Sequence, residues 1–291
     1  MVEANRTPAA SYLELATALH NERITAIWHN MLTTLAYIDH LERSQPGRAA
    51  FRQFAIQLVR PQLERLGSDP KPGEPPTDTL LRNRVIALLG NFDDPAVIAM
   101  AKSRFQKFLS QPEGLLGTLR PPIIRIVGRY SDRATYDQLH ELARTAKNTE
   151  ERQLYYQGMA SALDPDLATL TLRLALTDET VPQEALSLVP NVANLGEHPE
   201  LAWKFAQEHI GELLSRAEAF RRNTYVPSIM VAFNDAARAD QLEQFVREKV
   251  SPDAATKAKE AAEAIRLKAA LKQRELPGID RWVSTQLHPV Q

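Results

Sequence analysis

Apolar residues recur at helical spacing along residues 80–109, in two stripes separated by a short break. The stripes consist of Leu81, Val85, Leu88 and Leu89 before the break, and Val97, Ala101, Phe105, Phe108 and Leu109 after it. Gly90 and Asn91 are typical of a helix end. Asp94 can cap the next helix, and Pro95 suits its first turn because no amide hydrogen is needed there. The stretch therefore predicts a helical hairpin with one apolar face on each arm.

The hairpin pattern recurs further along the chain. Shifted by 38 residues, IIRIVGRYSDRATYDQL aligns with VIALLGNFDDPAVIAMA, which places Gly128 under Gly90 and Asp132 under Asp94. Similar breaks follow at Asp164-Pro165, His198-Pro199 and Asn234-Asp235. Two-helix solenoid repeats have periods of roughly 34 to 47 residues, which matches these spacings. The pattern therefore predicts an all-α chain of repeated helical hairpins.

Prolines and glycines predict where this pattern is interrupted. Residues 67–77 (GSDPKPGEPPT) predict an exposed loop inside a single domain that spans 1–291, since the helical pattern resumes after it. A proline inside a helix loses one hydrogen bond, so Pro61 predicts a kink or an end in its helix. Pro277 and the glycine after it predict that a long alanine-rich helix ends there. Residues 252–287 would then form C-terminal capping helices.

Composition narrows the range of partners. The 291 residues include 35 basic and 36 acidic side chains and carry a formal net charge of −1. Such a balance gives no field that would attract nucleic acid or an anionic membrane, so neither is expected as a partner. The chain has no cysteine, which excludes disulfides and thiolate metal sites and fits a cytoplasmic location. It also shows no secretory signal and no apolar run of the roughly 20 residues that a membrane helix needs.

The residues form no recognisable reaction centre. No two histidines have the H-x-x-x-H spacing of a zinc site, and the nearest approach, His140, has Arg144 in the second position. There is no glycine-rich phosphate loop and no G-x-S-x-G around a serine. The acidic pair Asp93-Asp94 falls at a helix start, where capping explains it. We therefore expect no catalytic residue, no metal ligand and no cofactor in this chain.

One cluster has the chemistry of a carboxylate site. Arg221 and Arg222 are adjacent and lie between Phe220 and Tyr225. Guanidinium groups can hold a carboxylate through paired hydrogen bonds. The alternative is structural: one arginine in solvent, and the other paired with Glu218 or with a neighbouring helix.

Four segments, in order, resemble the C-terminal domain of the zinc aminopeptidases, the family that includes aminopeptidase N and the puromycin-sensitive and endoplasmic-reticulum aminopeptidases. They are LLRNRVIALLGNFDDPAVIAMAKSRF, EERQLYYQGMASAL, LAWKF and IDRWV. The resemblance implies a bowl of HEAT-like or armadillo-like helical hairpins, an α-α superhelix. It also implies a separate catalytic domain that holds the zinc. The H-E-x-x-H and G-x-M-E-N motifs of that catalytic domain are absent from these residues.

By the same resemblance, the chain would close a peptide-holding chamber without being an enzyme by itself. Its expected partners are the catalytic domain of the same polypeptide and the peptide substrate. Inner helices of a curved solenoid line its concave face. On that basis the candidate peptide-facing residues are Arg221, Arg222, Tyr225, Arg82 and Tyr130. The alternative function is a stand-alone HEAT-like scaffold that binds a protein partner.

Overall fold

The structure is a computed structural model that describes residues 8–287, and all regular elements within that range are helical. The first five α-helices are α1 (Ala9–Ala18), α2 (Thr25–Leu41), α3 (Arg48–Leu66), α4 (Pro76–Asn91) and α5 (Pro95–Ser110). The next eight are α6 (Arg120–Arg129), α7 (Arg133–Thr145), α8 (Thr149–Ala160), α9 (Pro165–Leu174), α10 (Pro182–Asn194), α11 (Pro199–Ser215), α12 (Ala219–Met230) and α13 (Ala236–Lys249). The last is α14 (Ala255–Leu287), and three short 3-10 helices lie at Pro112–Gly114, Gly117–Leu119 and Pro252–Ala254. The all-α prediction is confirmed.

The residues group into two compact units. The first unit contains the chain up to Ile123 together with the part from Ala270 onward, and the second unit is Ile124–Ala269. The boundaries fall inside α6 and α14. A single domain over 1–291 stays a prediction, and residues 1–7 and 288–291 at its ends lie outside the described range. The HEAT-like or armadillo-like curvature and the bowl also stay predictions.

In the first unit, the predicted apolar stripe of α4 forms the core. α4 packs against α2, α3 and α5, and Leu81, Val85 and Leu89 are fully buried. Trp28 on α2 and Phe51 on α3 are equally buried beside them. Burying a large apolar side chain stabilises a fold by about 1.5 to 3 kcal/mol. The hairpin that the sequence predicts therefore supplies much of this unit's core.

The predicted breaks are the starts of alternate helices. Asp94 caps α5 by accepting hydrogen bonds from the amides of Ala96 and Val97, at 3.0 and 3.1 Å. Asp132 caps α7 in the same manner, with the amide of Thr135 at 2.8 Å. The three later breaks immediately precede α9, α11 and α13. All five predicted helix starts are therefore confirmed.

In the second unit, helices alternate between two layers. α8, α10 and α12 pack side by side, while α7, α9, α11 and α13 pack against them from the other layer. α6 and α8 meet through glycines. A β-carbon added to Gly128 would lie only 2.0 Å from the carbonyl oxygen of Gly158. The backbones touch directly, so this position accepts no side chain.

The irregular segment in the structure is shorter than the predicted loop. α4 begins at Pro76, so the irregular segment is 67–75 and not 67–77. Gly67 and Gly73 take positive φ values of 77° and 75°, which favour glycine. Most of the segment is exposed to solvent. We call residues 67–75 the proline loop.

Neither proline ends its helix, so the predicted helix end at Pro277 is wrong, and of the kink or end predicted at Pro61 only the kink stays a prediction. α3 continues through Pro61 to Leu66, and α14 continues through Pro277, so residues 252–287 contain one long helix and not several capping helices. Side chains around Pro277 explain why: Ile279 and Val283 are fully buried in the first unit, where Trp282 packs edge-on against Phe54, ring centres 5.0 Å apart. This packing outweighs the roughly 3 kcal/mol that an internal proline costs a helix.

Candidate functional site

Arg221 and Arg222 lie in the first turn of α12. The Nε of Arg222 donates a hydrogen bond to the carbonyl oxygen of Ala217, at 2.9 Å. The guanidinium of Arg221 lies 5.9 Å from the ring centre of Phe220, whose side chain is 65% exposed. Among the described residues, neither arginine side chain pairs with Glu218, which was one of the two partners named in the structural alternative. Arg221 and Arg222 therefore share one turn near a helix N-terminus, where the helix dipole favours an anion, but they have different neighbours, an aromatic ring and a backbone carbonyl.

Tyr225 lies in the core and not on an exposed face. Its side chain is 4% exposed, and within residues 8–287 its hydroxyl has no hydrogen-bond partner. Burial raises the pKa of this hydroxyl. The position that α12 takes in its layer directs Tyr225 inward, one turn after the half-buried Arg221 and the exposed Arg222. Tyr225 is therefore not available to a peptide in this structure.

Arg82 is also buried, and it holds the proline loop in place. Its guanidinium binds both carboxylate oxygens of Glu74, at 2.7 and 2.5 Å, and donates to the carbonyl oxygens of Leu66 and Gly67 at 3.1 and 2.9 Å. The hydrogen bonds that Glu74 accepts, first from Arg82 and then from the amide of Lys71 and the hydroxyl of Thr79, lower its pKa to about 2. The side chain of Arg82 is 0% exposed. It is a structural residue of the first unit and does not face a peptide.

Tyr130, the remaining candidate, follows α6 and is half-buried. The guanidinium of Arg129 lies 5.8 Å from its ring centre. Arg129 itself is buried and binds Glu197 at 2.7 Å. Tyr130 thus keeps one partly exposed edge, beside a buried ion pair that fixes its position.

The structure adds two polar contacts that the sequence analysis did not single out. The guanidinium of Arg125 on α6 donates to Oε1 of Gln157 on α8, at 2.6 Å. Arg152 on α8 bonds to the buried carboxylate of Glu184 on α10, also at 2.6 Å. Arg125 is exposed and has an amide partner where Arg152 has a carboxylate. In the sequence, Arg125 could have been noticed as the one arginine inside the apolar run IIRIV.

A cleft in the first unit follows the exposed side of α3. It encloses about 680 Å³, and its lining includes Arg52, Gln57, Arg60 and Asp93. Arg60 is bound to Asp94 at 2.6 Å and Arg52 to Asp93 at 2.5 Å. The cations of this cleft are therefore already neutralised by carboxylates of the same unit, unlike those of α12.

The described residues form no metal centre. Within 8–287, no three histidine, aspartate or glutamate side chains converge as metal ligands would. His140, the nearest to a zinc motif in sequence, instead has its Nε2 2.5 Å from a carboxylate oxygen of Glu179. A membrane-spanning helix would need a longer apolar stretch than any of these helices has.

Comparison with known proteins identifies the family. Residues 1–267 match the ERAP1-like C-terminal domain. The chain is 25% identical to aminopeptidase M1 of Arabidopsis thaliana and to aminopeptidase M1-A of Oryza sativa subsp. japonica. Both matches cover 91% of this chain and 31% of the relative. Puromycin-sensitive aminopeptidase of Caenorhabditis elegans is 22% identical, over 84% of this chain and 26% of that protein.

The chain therefore spans about a third of the length of the aminopeptidases it resembles. The resemblance found from the sequence segments and the match over residues 1–267 lead to the same family. Two of the four segments that carry the resemblance lie in the first unit and two in the second. This chain belongs to the ERAP1-like C-terminal domain family of aminopeptidases.

Proposed function

We propose that this chain closes a peptide-holding chamber in a zinc aminopeptidase and limits which substrates enter. In this proposal, zinc and catalysis come from another domain of the same polypeptide, and the chain itself contributes no reacting group. The observation that supports the proposal is the family match over residues 1–267. The relatives are aminopeptidases about three times as long as this chain.

Within the chamber, the first turn of α12 is the part of this chain that we assign to peptide contact. Arg221 offers a guanidinium group next to the exposed ring of Phe220, and Arg222 offers a second one in the same helical turn. Guanidinium groups suit a carboxylate of the peptide, and an aromatic ring suits an apolar side chain. Tyr130 and the exposed Arg125 are additional candidates on the same unit. A cytoplasmic location and the absence of a nucleic-acid partner belong to the same proposal, supported by the lack of cysteine and the balanced charge.

Charge reversal in the intact aminopeptidase tests this assignment. The variant Arg221→Glu with Arg222→Glu should raise the KM for peptides of about ten residues severalfold. It should leave the hydrolysis of an aminoacyl-nitroanilide unchanged, since that substrate is too short to reach α12. Arg247→Glu, an exposed arginine on α13, is the matched control and should change neither. Unchanged peptide kinetics in the double variant would remove these arginines from the site.

The upstream gene sequence distinguishes this function from that of a stand-alone scaffold. The reading frame upstream of these residues should encode H-E-x-x-H, with a glutamate further downstream as the third zinc ligand. A stop codon immediately upstream would favour the scaffold, and no peptidase activity would then be expected from the natural protein.

A further inference from the structure

Two carboxyl groups in the first unit meet without a hydrogen-bond donor between them. Glu42 follows the last residue of α2 and is fully buried, and Asp280 lies on α14. Among the described residues, no donor reaches either carboxyl oxygen of Glu42 or the buried Oδ1 of Asp280. Gly47 covers this site so closely that a β-carbon there would lie 2.0 Å from that Oδ1. A fully buried acid thus lies against a half-buried one, and no space is left for a side chain beside them.

The charges around the pair do not neutralise it. Asp39, one turn earlier on α2, adds a further negative charge. Arg48 and Arg52 on α3 both bind Asp39, at 2.8 and 2.6 Å. Of these two, Arg48 also acts on Glu42, and its attraction is weaker than the combined effects of burial and of the neighbouring carboxylates. The groups on α2, α3 and α14 together therefore favour a neutral Glu42.

One proton shared by the two carboxyl groups removes their repulsion and supplies the missing hydrogen-bond donor. A protonated carboxyl is a donor, so Glu42 can donate to Oδ1 of Asp280 and satisfy both buried groups. Two ionised carboxylates at the same place would repel each other and would each lose hydration. Burial, followed by the charge of Asp280, raises the pKa of Glu42 from 4.5 to about 7.

We propose that Glu42 and Asp280 share one proton and form a pH-sensitive latch that holds residues 270–287 of α14 against α2 and α3. The latch reinforces apolar packing in the same place, where Ile279 and Val283 are buried and Trp282 contacts Phe54. When the proton leaves, the pair becomes two facing carboxylates and this end of α14 is released more easily. The device responds to pH near neutrality and requires no ligand.

The direction of the effect follows from proton linkage. With the pKa of Glu42 at 4.5 in the unfolded chain and about 7 in the folded one, the folded state binds the extra proton between these values. The latch contributes fully below pH 4.5, weakens as the pH rises through 7, and changes no further once both states are ionised. One linked proton corresponds to as much as a tenfold change in the opening equilibrium per pH unit in that window.

Hydrogen exchange of the full chain between pH 5 and pH 8.5 tests the latch, after correction for intrinsic exchange rates. In the wild-type chain, the opening constant of residues 276–287 should rise by roughly tenfold per pH unit up to about pH 7 and then level off. In Glu42→Gln, whose amide still donates to Asp280, it should stay nearly constant. Glu260→Gln on the exposed side of α14 is the control, and its profile should match the wild type.

Two outcomes would overturn the proposal. One is the same pH profile in the wild type and in Glu42→Gln, which would mean that another group titrates. The other is full restoration of protection at pH 8.5 by Ca²⁺ or Mg²⁺, which would make the pair a cation site. If Glu42→Gln does not fold, Asp280→Asn provides the same comparison, because its amide can donate to the carboxylate of Glu42.

Discussion

Replacing Gly128 with alanine should force α6 and α8 apart. The added β-carbon would lie 2.0, 2.4 and 2.8 Å from three backbone atoms of Gly158, where ordinary contacts begin at about 3.4 Å. The backbones would have to separate by the difference, about 1.4 Å, because neither helix can rotate a backbone atom aside. Overpacking of a core costs about 1 to 3 kcal/mol, and alanine returns up to about 1 kcal/mol of helix propensity. For a contact this close, we expect a net loss of about 2 to 3 kcal/mol.

Urea unfolding, followed by circular dichroism, measures this loss as a lower midpoint. Gly278→Ala is the matched control. Gly278 also lies inside a helix, with no atom within 4 Å of its added β-carbon and no positive φ. Its alanine variant should be more stable than the wild type by up to about 1 kcal/mol. If Gly128→Ala proves as stable as the wild type, the backbones of α6 and α8 do not touch at this position.

Three further substitutions test individual features. Tyr225→Phe should leave stability unchanged or raise it by up to about 1 kcal/mol in thermal denaturation, because it removes a buried hydroxyl that has no described partner; a loss above about 1 kcal/mol would show that the hydroxyl is bonded. Arg82→Lys cannot bind Glu74 through two parallel hydrogen bonds, so the backbone amides of the proline loop should exchange hydrogen faster than in the wild type, and equal exchange rates would mean that Arg82 does not hold the loop. Pro277→Ala should stabilise the chain by about 1 to 3 kcal/mol in urea, because it restores an amide donor to a continuous helix; a destabilised variant would indicate a real helix break.

Local signals predicted the helix starts well. Asp94 and Asp132 cap their helices because the capping bond needs only residues two or three positions away. Pro277 shows the limit of such signals, since the packing of α14 outweighs a local rule. That packing involves residues of α3 more than two hundred positions away, which no local pattern reports.

The candidate site was harder to predict from sequence. Tyr225 was named as a candidate together with the two neighbouring arginines, but the face of α12 that turns inward is set by how the helix packs. Arg82 was missed as a structural residue because its partner, Glu74, lies in an irregular loop. Arg221 and Arg222 lie in the first turn of α12, a helix start that was not predicted because Glu218 before it makes no side-chain capping bond.

The hydrogen bonds between Arg82 and the proline loop matter for how the chain responds to reductants and oxidants. The side chain of Arg82 joins Leu66 and Gly67 to Glu74 and so closes a loop of backbone, as a disulfide would. Loop closure lowers the conformational entropy of the segment. The protein has no cysteine, so this cross-link cannot be broken by a reductant or exchanged with a thiol. It depends on the ionised Glu74, whose pKa of about 2 keeps it charged until the solution is strongly acidic. The proline loop should therefore keep its form in reducing and in oxidising surroundings alike.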